Sequence, residues 1–207
     1  MSTERLIKWK IDPDQLNMVL VILSVMIFLS SFMLPLVFIL ILQDVFYFSR
    51  DHWIFVAPRS AYYTFGAGML WTVLIMVAYM IVSHLRDRAK KEMKHGWAFV
   101  LAGLLFIPIC TLGVTNYYFI DDEGFHINEL TSYQADHYPW GSIEEVQTYG
   151  EENGDYYTHF VFRTENNDNF TLTYDHNLAS MRRNIFRTLE AHGAEILEHQ
   201  LIESEDT

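Results

Sequence analysis

The sequence predicts a membrane protein of mixed class: three transmembrane helices, then a small antiparallel β-barrel or sandwich capped by a C-terminal helix. Three observations lead there. Three apolar runs without Asp, Glu, Lys or Arg, each long enough to cross a bilayer, fill most of the first 118 residues. Beyond them the apolar residues recur with a period of two, the spacing of half-buried strands. Charge divides the chain at the same place: ten bases meet seven acids through Tyr118, a net +3, so the overall −12 leaves −15 for the remaining 89 residues. The expected division is a membrane anchor over 1–118 and a soluble domain over 119–207.

The anchor is justified element by element. Residues 1–15 are polar, with Lys8, Trp9 and Lys10 as an interfacial anchor. From Leu16 to Leu42 the chain carries no charge, which gives a first span of about 16–42. That run is too long for a signal-peptide core and no small-x-small site closes it, so it reads as retained. Pro35 is placed to kink it. In the loop from Asp44 to Ser60, the piece Trp53-Ile54-Phe55-Val56-Ala57 is too short to cross and is expected at the interface. The second and third spans are expected at about 61–84 and 97–118.

Sidedness follows from the basic loop between the second and third spans. Arg86, Arg88, Lys90, Lys91 and Lys94 are its topology determinants, because basic loops stay on the cytoplasmic side. With the N-terminus inside, eight bases lie inside against Arg50 and Arg59 outside, which puts the C-terminal domain outside the cell membrane. No span holds an ionisable group in its interior, and His84 falls at an edge, so transport is disfavoured. Gly66, Gly68, Ala102, Gly103 and Gly113 are small residues for close helix packing, within one chain or in a homo-oligomer.

The soluble half reads as strands closed by a helix. Tyr117–Ile120 and Phe125–Ile127 flank Asp121-Asp122-Glu123-Gly124 as a hairpin. Ser132–Tyr138 and Ile143–Tyr149 are weaker strands, since Trp140, Ile143 and Val146 recur every third residue. Tyr156–Arg163 and Asn169–Tyr174 alternate, with Phe160, Phe162, Phe170, Leu172 and Tyr174 on the apolar side. A helix then begins with Asn177 as its N-cap, carries the stripe Leu178, Met181, Ile185 and Leu189, and ends at Gly193. Ile196, Leu197, Leu201 and Ile202 form a short extension ahead of an acidic tail.

Strand-Asp-Asp-Glu-Gly-strand, then Tyr138-Pro139-Trp140-Gly141-Ser142-Ile143-Glu144-Glu145-Val146, then a hairpin and a terminal helix, resembles the pleckstrin-homology-like domains of bacterial membrane proteins with N-terminal transmembrane helices. The resemblance covers roughly 117–196, and six strands can be placed where that fold has seven. It implies a PH-like fold and a binding module, without an activity; many such proteins hold the domain in the cytoplasm, opposite to the charge bias here. Trp140, Ile143 and Val146 are the expected structural anchors of the domain.

Chemistry is sparse. Cys110 is the single cysteine, so no disulfide forms within the chain and no thiolate zinc site is available. A cysteine-free exposed domain suits a bacterial surface, where the sequon Asn169-Phe170-Thr171 has no role. His126, His137, His159 and His176 fall on different strands and turns without HxH or HExxH spacing, and read as scattered surface residues. The acidic runs Asp121–Glu123 and Glu151–Asp155 do not match a calcium loop. Arg182, Arg183 and Arg187 are a solvated helix face. No nucleotide or hydrolase motif is present, and no residue is assigned to catalysis, to a cofactor or to a metal. The acidic domain excludes nucleic acid as a partner. The expectation is a bilayer-embedded interaction module, not an enzyme, that binds a protein, peptide or envelope component. The alternatives are an envelope metal-dependent hydrolase and a structural or immunity-type membrane protein acting through its helices.

Overall fold

A computed structural model describes residues 13–89, 96–151, 157–197 and 200–202. The chain forms two compact units, 1–42 with 59–114, and 43–58 with 115–207. A cut at 118/119 therefore does not follow the units: residues 43–58 belong with the second, which begins again at Thr115.

The first unit is helical. Helix α1 (Pro13–Ser30) and α2 (Leu34–Tyr47) are bent by 69° at a short break. Ser31 closes α1 by donating its N–H to Ile27 and Phe28, and Pro35 lies in the first turn of α2, where its missing N–H costs nothing. Helix α3 (Arg59–Arg88), and α4 (Gly96–Leu104) with α5 (Phe106–Thr115), supply two helices long and apolar enough to cross a membrane. Pro108 explains the irregularity between α4 and α5, since its ring crowds the Leu104 carbonyl and its nitrogen donates nothing.

The small residues pack within the chain. A Cβ on Gly113 would stand 2.8 Å from the Ala61 carbonyl oxygen and 3.0 Å from the Phe65 nitrogen, and one on Gly66 would stand 3.3 Å from the Ser31 carbonyl oxygen. Gly68 faces Cys110. The Trp71 indole donates to the Ala102 carbonyl at 2.8 Å. Apart from Tyr133, every exposed large hydrophobic among the described residues lies between Met18 and Ile107. A surface that apolar suits hydrocarbon, not water.

The second unit is built from two sheets, not a closed barrel. Strands β1 (Ile54–Val56), β2 (Tyr117–Ile120), β3 (Gly124–Asn128) and β4 (Asp136–Pro139) form an antiparallel sheet in that order. The short piece expected at the membrane interface is thus an edge strand, with Ile54 opposite Ile120 and Val56 opposite Tyr118. In the second sheet β5 (Ile143–Glu151), β6 (Tyr157–Thr164) and β7 (Asn169–Thr173) pair antiparallel. The predicted extension after Gly193 consists of strands: β8 (Glu195–Ile196) and β9 (Gln200–Ile202) add in parallel to β5.

Helix α6 (His176–Ala191) covers the core shared by the sheets, burying Leu178, Ile185 and Leu189. Its N-cap is Asp175, not Asn177, with the carboxylate accepting the Leu178 N–H at 2.8 Å. Gly193 ends it at φ +93°, a conformation that favours glycine. Phe125, Phe160 and Phe162 are fully enclosed, and Phe125 packs its ring 4.9 Å from that of Phe162. Trp140, Ile143 and Val146 lie in this core, 3%, 2% and 0% exposed.

Candidate functional site

Alternation fixes what the four-stranded sheet shows on each face. Ile54, Val56, Tyr118, Ile120 and Phe125 point into the core. Their neighbours form a row on the opposite face, because Phe55 pairs with Phe119, Phe119 with His126, and His126 with His137. The rings stack along that row. Phe119 lies 4.3 Å from His126 at 10°, and His126 lies 4.2 Å from His137 at 11°. His52, from the segment before β1, stacks on Phe119 at 4.0 Å. The row therefore passes from half-buried phenylalanine to the exposed His137 at the edge strand.

The β2–β3 turn holds acid beside these imidazoles. Asp121 Oδ1 accepts the N–H groups of Glu123 (2.8 Å) and Gly124 (3.2 Å), which pins the turn. Gly124, at φ +149°, lets the turn pass where a Cβ would stand 2.9 Å from Pro139 Cα. The other oxygen, Asp121 Oδ2, lies 3.3 Å from His126 Nε2. That nitrogen is enclosed, and the contact is too far off line to count as a hydrogen bond. Asp122 accepts the Trp53 indole N–H at 2.9 Å, tying the segment before β1 to the turn.

Burial disfavours the charged form of two of these imidazoles, His126 and His52. It lowers the pKa of His126 from 6.5; the neighbouring His137 adds to this, while Asp121 and Glu123 oppose it. His52 is lowered in the same way, chiefly by burial, with His126 adding to the effect and Asp121 and Asp51 opposing it. For both, burial favours the neutral imidazole, the form in which a ring nitrogen carries a lone pair.

Of the four histidines expected to be scattered, the fold brings His126 and His137 together. Their ligating nitrogens and a Glu123 carboxylate oxygen all lie within 4.8 Å of one another. His159 stacks instead on Tyr149, on the other sheet, and His176 opens α6. His52 joins the row without having been singled out, and no local pattern marks it. The His126–His137 pairing follows from the β3–β4 register, whose midpoint lies between Thr131 and Ser132.

The remaining candidates are less organised. Arg182 lies over the Tyr157 ring at 4.9 Å, and with Arg183 and Asn184 borders a surface hollow of about 390 Å³. In the helical unit a cleft of about 460 Å³ is lined by apolar side chains of α1, α3 and α4, including Leu20, Ile75 and Phe99. Arg86 and Arg88 occupy the last turn of α3. Lys90, Lys91 and Lys94 lie outside the described residues, as do residues 152–155 of the second acidic run and the Lys8–Lys10 anchor. No protein-family model, curated protein or solved structure matches this chain.

Proposed function

We propose that this is a multi-pass bacterial membrane protein that displays a PH-like interaction module on the extracytoplasmic side, recognising a protein, peptide or envelope component. In this reading α1 and α2 together make one broken span, α3 a second, and α4 with α5 a third. The observation that carries the recognition role is the ring row on the outer face of the four-stranded sheet, from Phe55 to His137. Its aromatic groups face away from the core that their neighbours fill, and aromatic residues are enriched at protein–protein interfaces.

Chain topology supports the sidedness. Segments 43–58 and 115–207 share one compact unit, and two membrane-length helices separate them in sequence. An even number of crossings returns both segments to one face, as the β1–β2 pairing needs. The loop at 86–94 then lies on the other face. If α1 and α2 cross together, the basic residues divide eight against two and the module lies outside. If that pair enters and leaves by one face, Arg5, Lys8 and Lys10 join Arg50 and Arg59, and the division becomes five against five. The sidedness therefore rests on the 69° bend being a broken span.

A single cysteine at Tyr133, which is 61% exposed, in a Cys110→Ser background provides the test. A membrane-impermeant maleimide should label it in intact spheroplasts; labelling only after lysis would overturn the sidedness. A photo-crosslinking residue at Phe119 should yield one discrete adduct in cells, absent when the crosslinker stands at Thr171 on the other sheet. Equal adducts from both positions would overturn the assignment of the face.

A further inference from the structure

We propose that Glu123, His126 and His137 form a binding site for one divalent transition-metal ion of the zinc type, at the open end of the outer sheet face. Two imidazoles and a carboxylate are a donor set that such ions prefer, while calcium and magnesium select all-oxygen shells. The backbone holds the three residues in place by separate means. The β3–β4 register sets His126 opposite His137. Asp121 Oδ1 pins the turn that carries Glu123, through the N–H groups of Glu123 and Gly124.

The distances say how much must move. Tetrahedral ligands about 2.0–2.2 Å from zinc stand roughly 3.3–3.5 Å apart. The three donor atoms here lie within 4.8 Å of one another, so loading draws any two of them together by at most about 1.5 Å. Glu123 and His137 are exposed and free to close, and His126 is the more enclosed member. Asp121 Oδ2 stands 3.3 Å from His126 Nε2, a second carboxylate beside the same imidazole. The surroundings favour a cation: Asp122 and Asp136 lie nearby in sequence, and no Lys or Arg occurs between Lys94 and Arg163.

The stacked rings give the proposal a particular consequence. Imidazole lone pairs lie in the ring plane, and the His126 and His137 rings are stacked, with centroids 4.2 Å apart and planes within 11° of parallel. One ion cannot lie in both planes. Loading must therefore swing one ring out of the stack, and His137, exposed on the edge strand, is the one with room to turn. Phe119 and His52 hold the rest of the row. With two ligands exposed, a water or a partner's carboxylate or imidazole can complete the shell. The site needs neither a given sidedness nor a partner to load.

The full chain in detergent, carrying no histidine tag and stripped by chelator, is titrated with Co²⁺ and then Zn²⁺. One equivalent of Co²⁺ per chain should bind with visible absorption of a four-coordinate N/O site. Zn²⁺ should displace it, while Ca²⁺ and Mg²⁺ should not. His137→Ala and Glu123→Gln should each weaken binding about tenfold or more, while His159→Ala leaves it unchanged. Both altered side chains are exposed, and amide exchange over 157–164 reports that the domain stays folded. Loading should move the His137 ring resonances further than those of His52. Absence of saturable binding, displacement by Ca²⁺, or an affinity untouched in the His137→Ala/Glu123→Gln double variant would overturn the site.

Discussion

If residues 43–58 are part of the domain fold, shortening Ile54 should loosen strands far from it in sequence. Ile54 is 6% exposed and stands opposite Ile120, which is fully enclosed. Ile→Ala at enclosed sites costs about 2–5 kcal/mol. Because β1 is a three-residue edge strand that can settle into the space, the lower part of that range, about 2–3 kcal/mol, is expected. The helices and the domain need not unfold together, so a global melting curve is the wrong assay. Amide exchange of the peptide spanning 157–164 reads the domain core directly, through Phe160 and Phe162. With about 1.4 kcal/mol for each tenfold, Ile54→Ala should lower its protection roughly thirty- to hundredfold. Tyr63→Ala, at a position 74% exposed, is the control and should change nothing. Protection in Ile54→Ala within threefold of the unaltered protein would show that β1 merely lies beside the domain, and the argument for a unit of 43–58 with 115–207 would fail.

Three further outcomes are expected. Gly113→Val should destabilise the helical unit by about 1–3 kcal/mol in detergent unfolding, because the new Cβ meets the Ala61 oxygen at 2.8 Å, backbone that cannot turn aside; Gly96→Ala, with open space around it, should not. Asp175→Ala should cost about 1 kcal/mol of domain stability and fray the first turn of α6, read as faster exchange at the Leu178 amide. Burial, with Asp175 adding to it, raises the Tyr118 pKa above 10.0, so the folded chain keeps a proton that the unfolded chain gives up. The stability this contributes is complete below pH 10 and is lost as pH rises from there toward the folded value. Tyr118→Phe should therefore flatten the alkaline limb of the stability curve.

What the sequence disclosed is what depends on local periodicity. The alternation from Asn169 to Thr173 is met residue for residue by exposed and buried side chains, and the Leu178, Ile185 and Leu189 stripe lies against the core. Non-local pairing was invisible. Ile54-Phe55-Val56 reads the same at a membrane interface or in a sheet, and its partner β2 lies beyond two long helices in the chain. The three-residue spacing of Trp140, Ile143 and Val146 has a local cause that period counting does not anticipate. Trp140 stands on a 3-10 turn over 140–142, and a shift of register between Ile143 and Glu145 turns both Ile143 and Val146 inward. The residues after Gly193 carry no alternation long enough to read as strands, and the edge of β5 takes them up as β8 and β9. Asn177 precedes the first apolar position, Leu178, whereas the helix opens at the polar His176 and is capped by Asp175.

The histidines illustrate the same limit at the level of chemistry. Metal-ligand patterns that sequence can reveal are those of one element, such as two histidines a helical turn apart. A cross-strand pair has no fixed spacing, because the intervening loop can be of any length; only the register decides whether His126 meets His137 or slides past it. A one-residue slip of β4 would turn His137 into the core and bring Tyr138 to the outer face, breaking both the ring row and the contact with Glu123. Gly124 guards against that slip, since its turn passes so close to Pro139 that no other residue fits there. The proposed recognition face and the proposed metal site therefore depend on one backbone feature. Gly124→Ala should remove both together, whereas His137→Ala should remove the second and leave the aromatic part of the row standing.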